Sequence, residues 1–163
     1  MFELSAVGEK IIFMPRYKEQ KILPYTPKQL FDLVADVESY PNFLPWCVHV
    51  KKLSKEKNGF IAEMKVGNRL FSESFVSKDV LFSPRLNMPG KIQVFYKRGP
   101  FEYLNNHWTF CNYRKNSCKL EFFIDFEIRK GILRDLFSDF FFSVAKKLTL
   151  AFEKRAEDLY SKV

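Results

Sequence analysis

Residues Lys130–Ser161 read KGILRDLFSDFFFSVAKKLTLAFEKRAEDLYS, and this stretch decides the fold. Leu133, Phe137, Phe140, Val144, Leu148, Ala151 and Phe152 recur mainly at three- and four-residue steps, the signature of one apolar helix face. After Gly131 neither glycine nor proline interrupts it. At about 1.5 Å per residue such a helix extends about 45 Å, longer than a small domain is wide. It therefore needs a large apolar surface to lie on. Phe140, Phe141 and Phe142 are consecutive and point in three directions. Either the apolar face is wide there, or something apolar other than the domain's own core meets it.

The surface is sought upstream. From Trp46 to Ile128 the apolar period is mostly two. Trp46, Val48 and Val50 alternate with Cys47, His49 and Lys51, and Phe60, Ala62, Met64 and Val66 alternate with Ile61, Glu63 and Lys65. Asn58-Gly59 is a strong hairpin turn. Between Arg69 and Phe82 the pattern changes phase: Phe71 and Phe75 hold one parity, Val76, Val80 and Phe82 the other, which predicts a bulge or strong twist. Ile92, Val94 and Tyr96 form the next strand. Setting Trp108 opposite Phe122, Phe110 opposite Leu120 and Leu104 opposite Phe126 puts all of these large apolar side chains on one face. In that register Cys111 faces Lys119 and Cys118 faces Asn112, so no disulfide is predicted.

Farther upstream, Thr26-Pro27-Lys28-Gln29 is a capping box with proline at the first helical position. The helix it starts carries Leu30, Phe31, Val34 and Val37 inward and is expected to end near Glu38. Tyr40-Pro41-Asn42-Phe43-Leu44-Pro45 brackets at most one further helical turn between two prolines. Tyr17–Tyr25 reads as the first strand. The predicted order is strand, helix, short helix, six strands and long helix. Short turns make the sheet antiparallel. The expectation is an α+β fold in which a curved seven-stranded antiparallel sheet wraps around the long C-terminal helix, a helix-grip arrangement. Residues 1–13 read as an N-terminal extension, expected to be disordered, and 14–163 as one domain.

Composition narrows function. The 163 residues are 47% hydrophobic and 28% charged, ordinary for a globular chain. The 19 Phe are not ordinary, and read either as compositional bias or as an aromatic-lined cavity. No apolar run approaches the roughly 18 residues that a spanning helix needs. The net charge of +8 favours anionic partners, a lipid surface or RNA. The basic residues are nevertheless scattered, in groups around Lys51, Lys97, Arg114 and Arg129. Three cysteines without a CxxC pair read as a reducing compartment. Two separated histidines, His49 and His107, do not make a metal site. No nucleophile–base pair or phosphate-cradling glycine loop is visible.

Several separated segments resemble one family: Pro24–Pro27, Phe31–Val37, Tyr40–Cys47, Gly99–Trp108 and Phe122–Ile128. They are similar to the coenzyme Q-binding protein family of the START-like superfamily, with its bacterial RatA and polyketide cyclase/dehydrase-like branches. The match runs from about Met14 to Tyr160. The resemblance implies a START-like helix-grip fold with a lipid-accommodating tunnel between sheet and long helix. It implies binding of ubiquinone as a ligand, without a cofactor, in support of respiratory electron transport. The alternative is a RatA-type protein that binds the large ribosomal subunit and blocks subunit association. The expected location is cytoplasmic, peripheral at the inner face of the plasma membrane, and no enzymatic activity is expected.

Within that frame the tunnel candidates are the inward apolar residues. They are Phe43, Leu44, Trp46 and Val48; Met64 and Val66; Val94 and Tyr96; Leu104 and Trp108; Phe122 and Phe126; and Phe137, Phe141, Val144 and Leu148. Trp108 and Tyr96 also offer a hydrogen bond to a quinone carbonyl. The elbow residues Tyr40, Phe43, Leu44 and Trp46 are the expected contact with an anionic membrane. His49, His107, Asp125 and Glu127 are expected to face outward. Phe140 should pack on the sheet, Phe141 should border the tunnel and Phe142 should lie nearer the surface.

Overall fold

The structure is a computed structural model that describes residues 3–7, 10–14, 16–131 and 134–161, with side chains described within 16–131 and 134–161. Within the stretch expected as an extension, β1 (Glu3–Val7) pairs with β2 (Lys10–Met14) in a separate two-stranded sheet.

The first main strand is β3 (Arg16–Leu23). Helix α1 (Pro27–Ala35) follows through the predicted capping box. The Thr26 hydroxyl accepts from the Gln29 amide at 3.1 Å, and the Gln29 side chain accepts from the Thr26 amide at 2.9 Å. Two of the helix's first orphan donors are thereby satisfied. The helix ends earlier than Glu38. Asp36 leaves the helical region at φ −83°, ψ 66°, and Val37–Asn42, with Pro41 inside it, winds as a 3₁₀ helix. Proline has no amide to donate, so the tighter coil costs little there.

Six strands follow: β4 (Cys47–Glu56), β5 (Gly59–Gly67), β6 (Ser72–Phe82), β7 (Gly90–Arg98), β8 (Phe101–Asn112) and β9 (Cys118–Ile128). With β3 they make one seven-stranded antiparallel sheet, in the order β3-β9-β8-β7-β6-β5-β4. The β8–β9 register is the one that the apolar pattern predicts: Trp108 opposite Phe122, Phe110 opposite Leu120, Leu104 opposite Phe126, Cys111 opposite Lys119. All three cysteines are free.

The expected bulge is there, at the Val76–Ser77 step of the β6–β7 pair. The irregularity falls on the partner strand: Val76 pairs with Arg98 and Ser77 with Tyr96, so the extra residue is Lys97 of β7. Strand β6 keeps its parity. Phe75, Ser77 and Asp79 all face inward, while Phe82 is largely exposed. Apolarity misled the reading because two inward positions carry polar side chains.

The long helix α2 spans Arg134–Tyr160, about 40 Å; Leu133 of the predicted face lies outside the described residues. Its buried face is Phe137, Phe141, Ala145, Thr149, Phe152 and Ala156. That stripe is turned by one residue from Phe140–Val144–Leu148, which flank it half-buried. Beneath α2 lie two apolar cores. One contains Phe152 and Ala156 with α1, Trp108 and Phe122; the other contains Phe137 and Phe141 with Val66, Phe101 and Phe126.

Candidate ligand cavity

The two cores do not meet completely. Between them, under the middle of α2, the sheet encloses a cavity of about 130 Å³. Its helix side is Phe141, Val144, Leu148 and Phe152. Its opposite wall comes from the sheet: Met64 and Val66 on β5, Phe75 on β6, Ile92 and Val94 on β7, Leu104 and Trp108 on β8. Val34 of α1, Val37 and Tyr40 of the 3₁₀ helix, and Leu44 and Trp46 after it close one end. Both tryptophans of the chain therefore line this space.

Ten of the sixteen expected tunnel residues border the cavity: Leu44, Trp46, Met64, Val66, Val94, Leu104, Trp108, Phe141, Val144 and Leu148. Phe122, Phe126 and Phe137 are buried in the cores beside it. Phe43 packs edge-on against Phe152 at 5.2 Å. Tyr96 belongs to the second core, where its hydroxyl accepts from the Phe101 amide at 3.1 Å. It does not line this space. Val48 is a correction. A bulge between Cys47 and His49 shifts the alternation of β4, so that Cys47 and Val50 turn inward and Val48 is 53% exposed.

The elbow also differs from its expected role. Tyr40 and Leu44 are buried and Phe43 and Trp46 half-buried, because the rings of Tyr40 and Phe43 both pack on Phe152. The strongly exposed apolar side chains lie elsewhere, at Leu70 and at Leu86 and Met88 of the β6–β7 loop. In the phenylalanine triplet, Phe140 rests on Phe71, from the loop before β6, with centroids 5.2 Å apart. Phe141 borders the cavity, and Phe142 is half-buried with the Lys146 ammonium 4.6 Å from its ring.

The polar lining was not foreseen. Asp79 is only 6% exposed, and Ser77 Oγ donates to its carboxylate at 2.7 Å. Burial raises the Asp79 pKa to about 6, against the opposing pull of the Ser77 hydrogen bond and the Lys52 charge. The Tyr40 hydroxyl donates to the Val34 carbonyl, and the Asn106 amide donates to the Phe123 carbonyl at 2.8 Å. None of the lining residues is a histidine, cysteine or lysine. His49 is exposed and His107 stacks on Phe123 on the outer face, with centroids 4.9 Å apart. Burial and the neighbouring Lys18 and Lys91 depress the His107 pKa. Asp125 is on that outer side too. It is itself covered, accepting from Arg16 at 3.3 Å and Tyr103 at 3.2 Å. Glu127 pairs with Arg134 at 3.2 Å. Among the described residues no group of three metal-ligating side chains converges, and no helix is long and apolar enough to cross a membrane.

Residues 23–153 match the model of the family described as polyketide cyclase / dehydrase and lipid transport. The chain is 38% identical to a ribosome association toxin RatA of Rickettsia prowazekii, covering 90% of this chain and 99% of that one. It is 33% identical to the mitochondrial coenzyme Q-binding protein COQ10 homolog B of Xenopus laevis, over 90% of this chain and 59% of that longer one. Both relatives are named for what they bind or associate with. A START superfamily protein from Mycobacterium smegmatis superposes with a TM-score of 0.71 over 88% of this chain and 98% of its own, at 18% identity, a likeness of fold alone. The chain belongs to the polyketide cyclase / dehydrase and lipid transport family, is similar in sequence to RatA and coenzyme Q-binding proteins, and has a START-like fold.

Proposed function

We propose that this chain binds a hydrophobic ligand with a polar head, most simply a quinone such as ubiquinone, and acts as its carrier or chaperone for respiratory electron transport. The observation that carries the reading is the cavity between two apolar cores, aromatic-lined and polar at one corner. Ligand sites have that character. At about 130 Å³ the space is smaller than the roughly 300–1,000 Å³ of typical ligand sites. A long-tailed quinone enters only if the N-terminal half of α2 lifts, and that half is held mainly by ring contacts. The activity is binding rather than catalysis, with no cofactor. Exchange of the ligand takes place at the inner face of the plasma membrane, where the positive charge favours anionic headgroups.

A second reading is RatA-type association with the large ribosomal subunit. The likeness to the Rickettsia protein over 99% of that chain favours it. Native mass spectrometry of the purified protein, with organic extraction, separates the two. A co-purified quinone upholds the carrier. Its absence, together with co-sedimentation with large ribosomal subunits at physiological salt, replaces the carrier by the ribosome binder.

A further inference from the structure

Strand β6 places a carboxylate where the apolar pattern calls for a hydrophobic residue. Asp79 pairs with Phe60 of β5 and Val94 of β7, faces the cavity and is almost wholly buried. A carboxylate there is costly unless it does something, since burial disfavours its charge. The hydroxyls of the same wall are already committed as donors, and Asn106 commits one of its two amide hydrogens. Tyr40 donates to Val34, Asn106 to Phe123, and Ser77 to Asp79 itself. Ser77 occupies Oδ1 of Asp79, so the proton of the neutral acid belongs on Oδ2.

Building on the carrier reading, we propose that Asp79, fixed by Ser77, is the polar anchor of the cavity. As the neutral acid it donates a hydrogen bond to an acceptor oxygen on the ligand, which selects carbonyl-bearing lipids of the quinone class over plain hydrocarbon. The raised pKa of Asp79 agrees with this role. The groups that act on Asp79 are Lys52 on β4, which favours the charged form, and Tyr40 of the 3₁₀ helix, whose own ionisation is opposed first by its burial and then by Asp79, Cys47 and Asp36. The α2 residues on the wall, Phe141, Val144, Leu148 and Phe152, are all uncharged. Binding is therefore strongest below the point at which Asp79 ionises and weakens above it.

The test uses decylubiquinone, read by quenching of Trp46 and Trp108, at pH 5 and pH 8. The full-length wild-type protein is expected to bind roughly tenfold more tightly at pH 5, the worth of about one hydrogen bond. Asp79→Asn keeps a donor of the same shape and should bind equally at both pH values. Asp79→Leu should lose roughly tenfold for decylubiquinone at pH 5 yet still bind the hydrocarbon probe diphenylhexatriene. Wild-type binding that is independent of pH and unchanged in Asp79→Leu overturns the anchor and leaves the carrier standing. Failure of the wild type to bind decylubiquinone at either pH overturns both.

Discussion

The two halves of α2 are held in different ways. The C-terminal half is tied down by packing and by polar bonds at once. Phe152 meets Tyr40, Phe43 and Trp108 at 5.1, 5.2 and 5.2 Å. Thr149 donates to Glu19, which also accepts from Tyr17 at 2.8 Å; Lys21 bonds Glu153 at 2.8 Å; and the Tyr160 hydroxyl donates to the Gln29 carbonyl at 3.1 Å. The N-terminal half rests on rings: Phe137 and Phe140 on Phe71, and Phe141 on Phe101. Beyond these, the ion pair of Arg134 with Glu127 anchors its first turn. Directional bonds fix a helix in one place, whereas ring contacts can re-form after a slide. The C-terminal half is thereby the anchored one, and the proposed entry of a ligand is placed under the other.

The sharpest way to break the contrast is at its two rings. Phe152→Ala should cost about 3–5 kcal/mol, the range for emptying a buried aromatic site. Phe140→Ala, half-exposed, should cost about 1 kcal/mol. Urea unfolding measures both, and equal losses would abolish the distinction between the halves.

Next in size is the carboxylate between the cores. Asp79 has its pKa raised from 3.8 to about 6, so the native state holds the proton more tightly than the unfolded chain. The stabilisation is full below about pH 4 and is lost as pH rises through about 6, a change on the order of 3 kcal/mol. Asp79→Asn lacks this loss. It should therefore gain on the wild type between pH 4.5 and 7.5, as read from denaturation at each pH, and a constant difference would contradict the assignment. Thr149→Val removes a hydrogen bond to a charged group and should cost about 1.5–3 kcal/mol. Amide exchange should then quicken at the C-terminal half of α2 more than at its start. Glu153→Ala, which breaks a partly exposed ion pair, should cost less than about 1 kcal/mol. A larger loss would mean that the polar bonds of the C-terminal half act as one coupled network.

The sheet was legible because alternation is strict wherever large apolar side chains face a core. One slip in β8–β9 would have turned Trp108, Phe122 and Phe110 to solvent, so the register followed from sequence. The capping box was legible because its bonds are local. The buried stripe of α2 was misread by one residue because Thr149 looks polar and Ala145 and Ala156 look small. Yet these are the side chains that let the helix approach β3 and bond Glu19. Val48 was misassigned because a bulge has no signature in alternation alone. Ser77 and Asp79 went unseen for the same reason that makes them informative, since they break the apolar pattern at inward positions.

The sequence by itself determined the order of elements from β3 to α2, the antiparallel pairing of the last hairpin and the long helix laid across the sheet. These rest on periodicity and local hydrogen bonding, which are properties of neighbouring residues. Only the tertiary structure decided which face of α2 is buried, that the core divides in two, and that a carboxylate stands in the gap. These depend on how the sheet and the long helix pack on each other, which no stretch of the chain encodes alone.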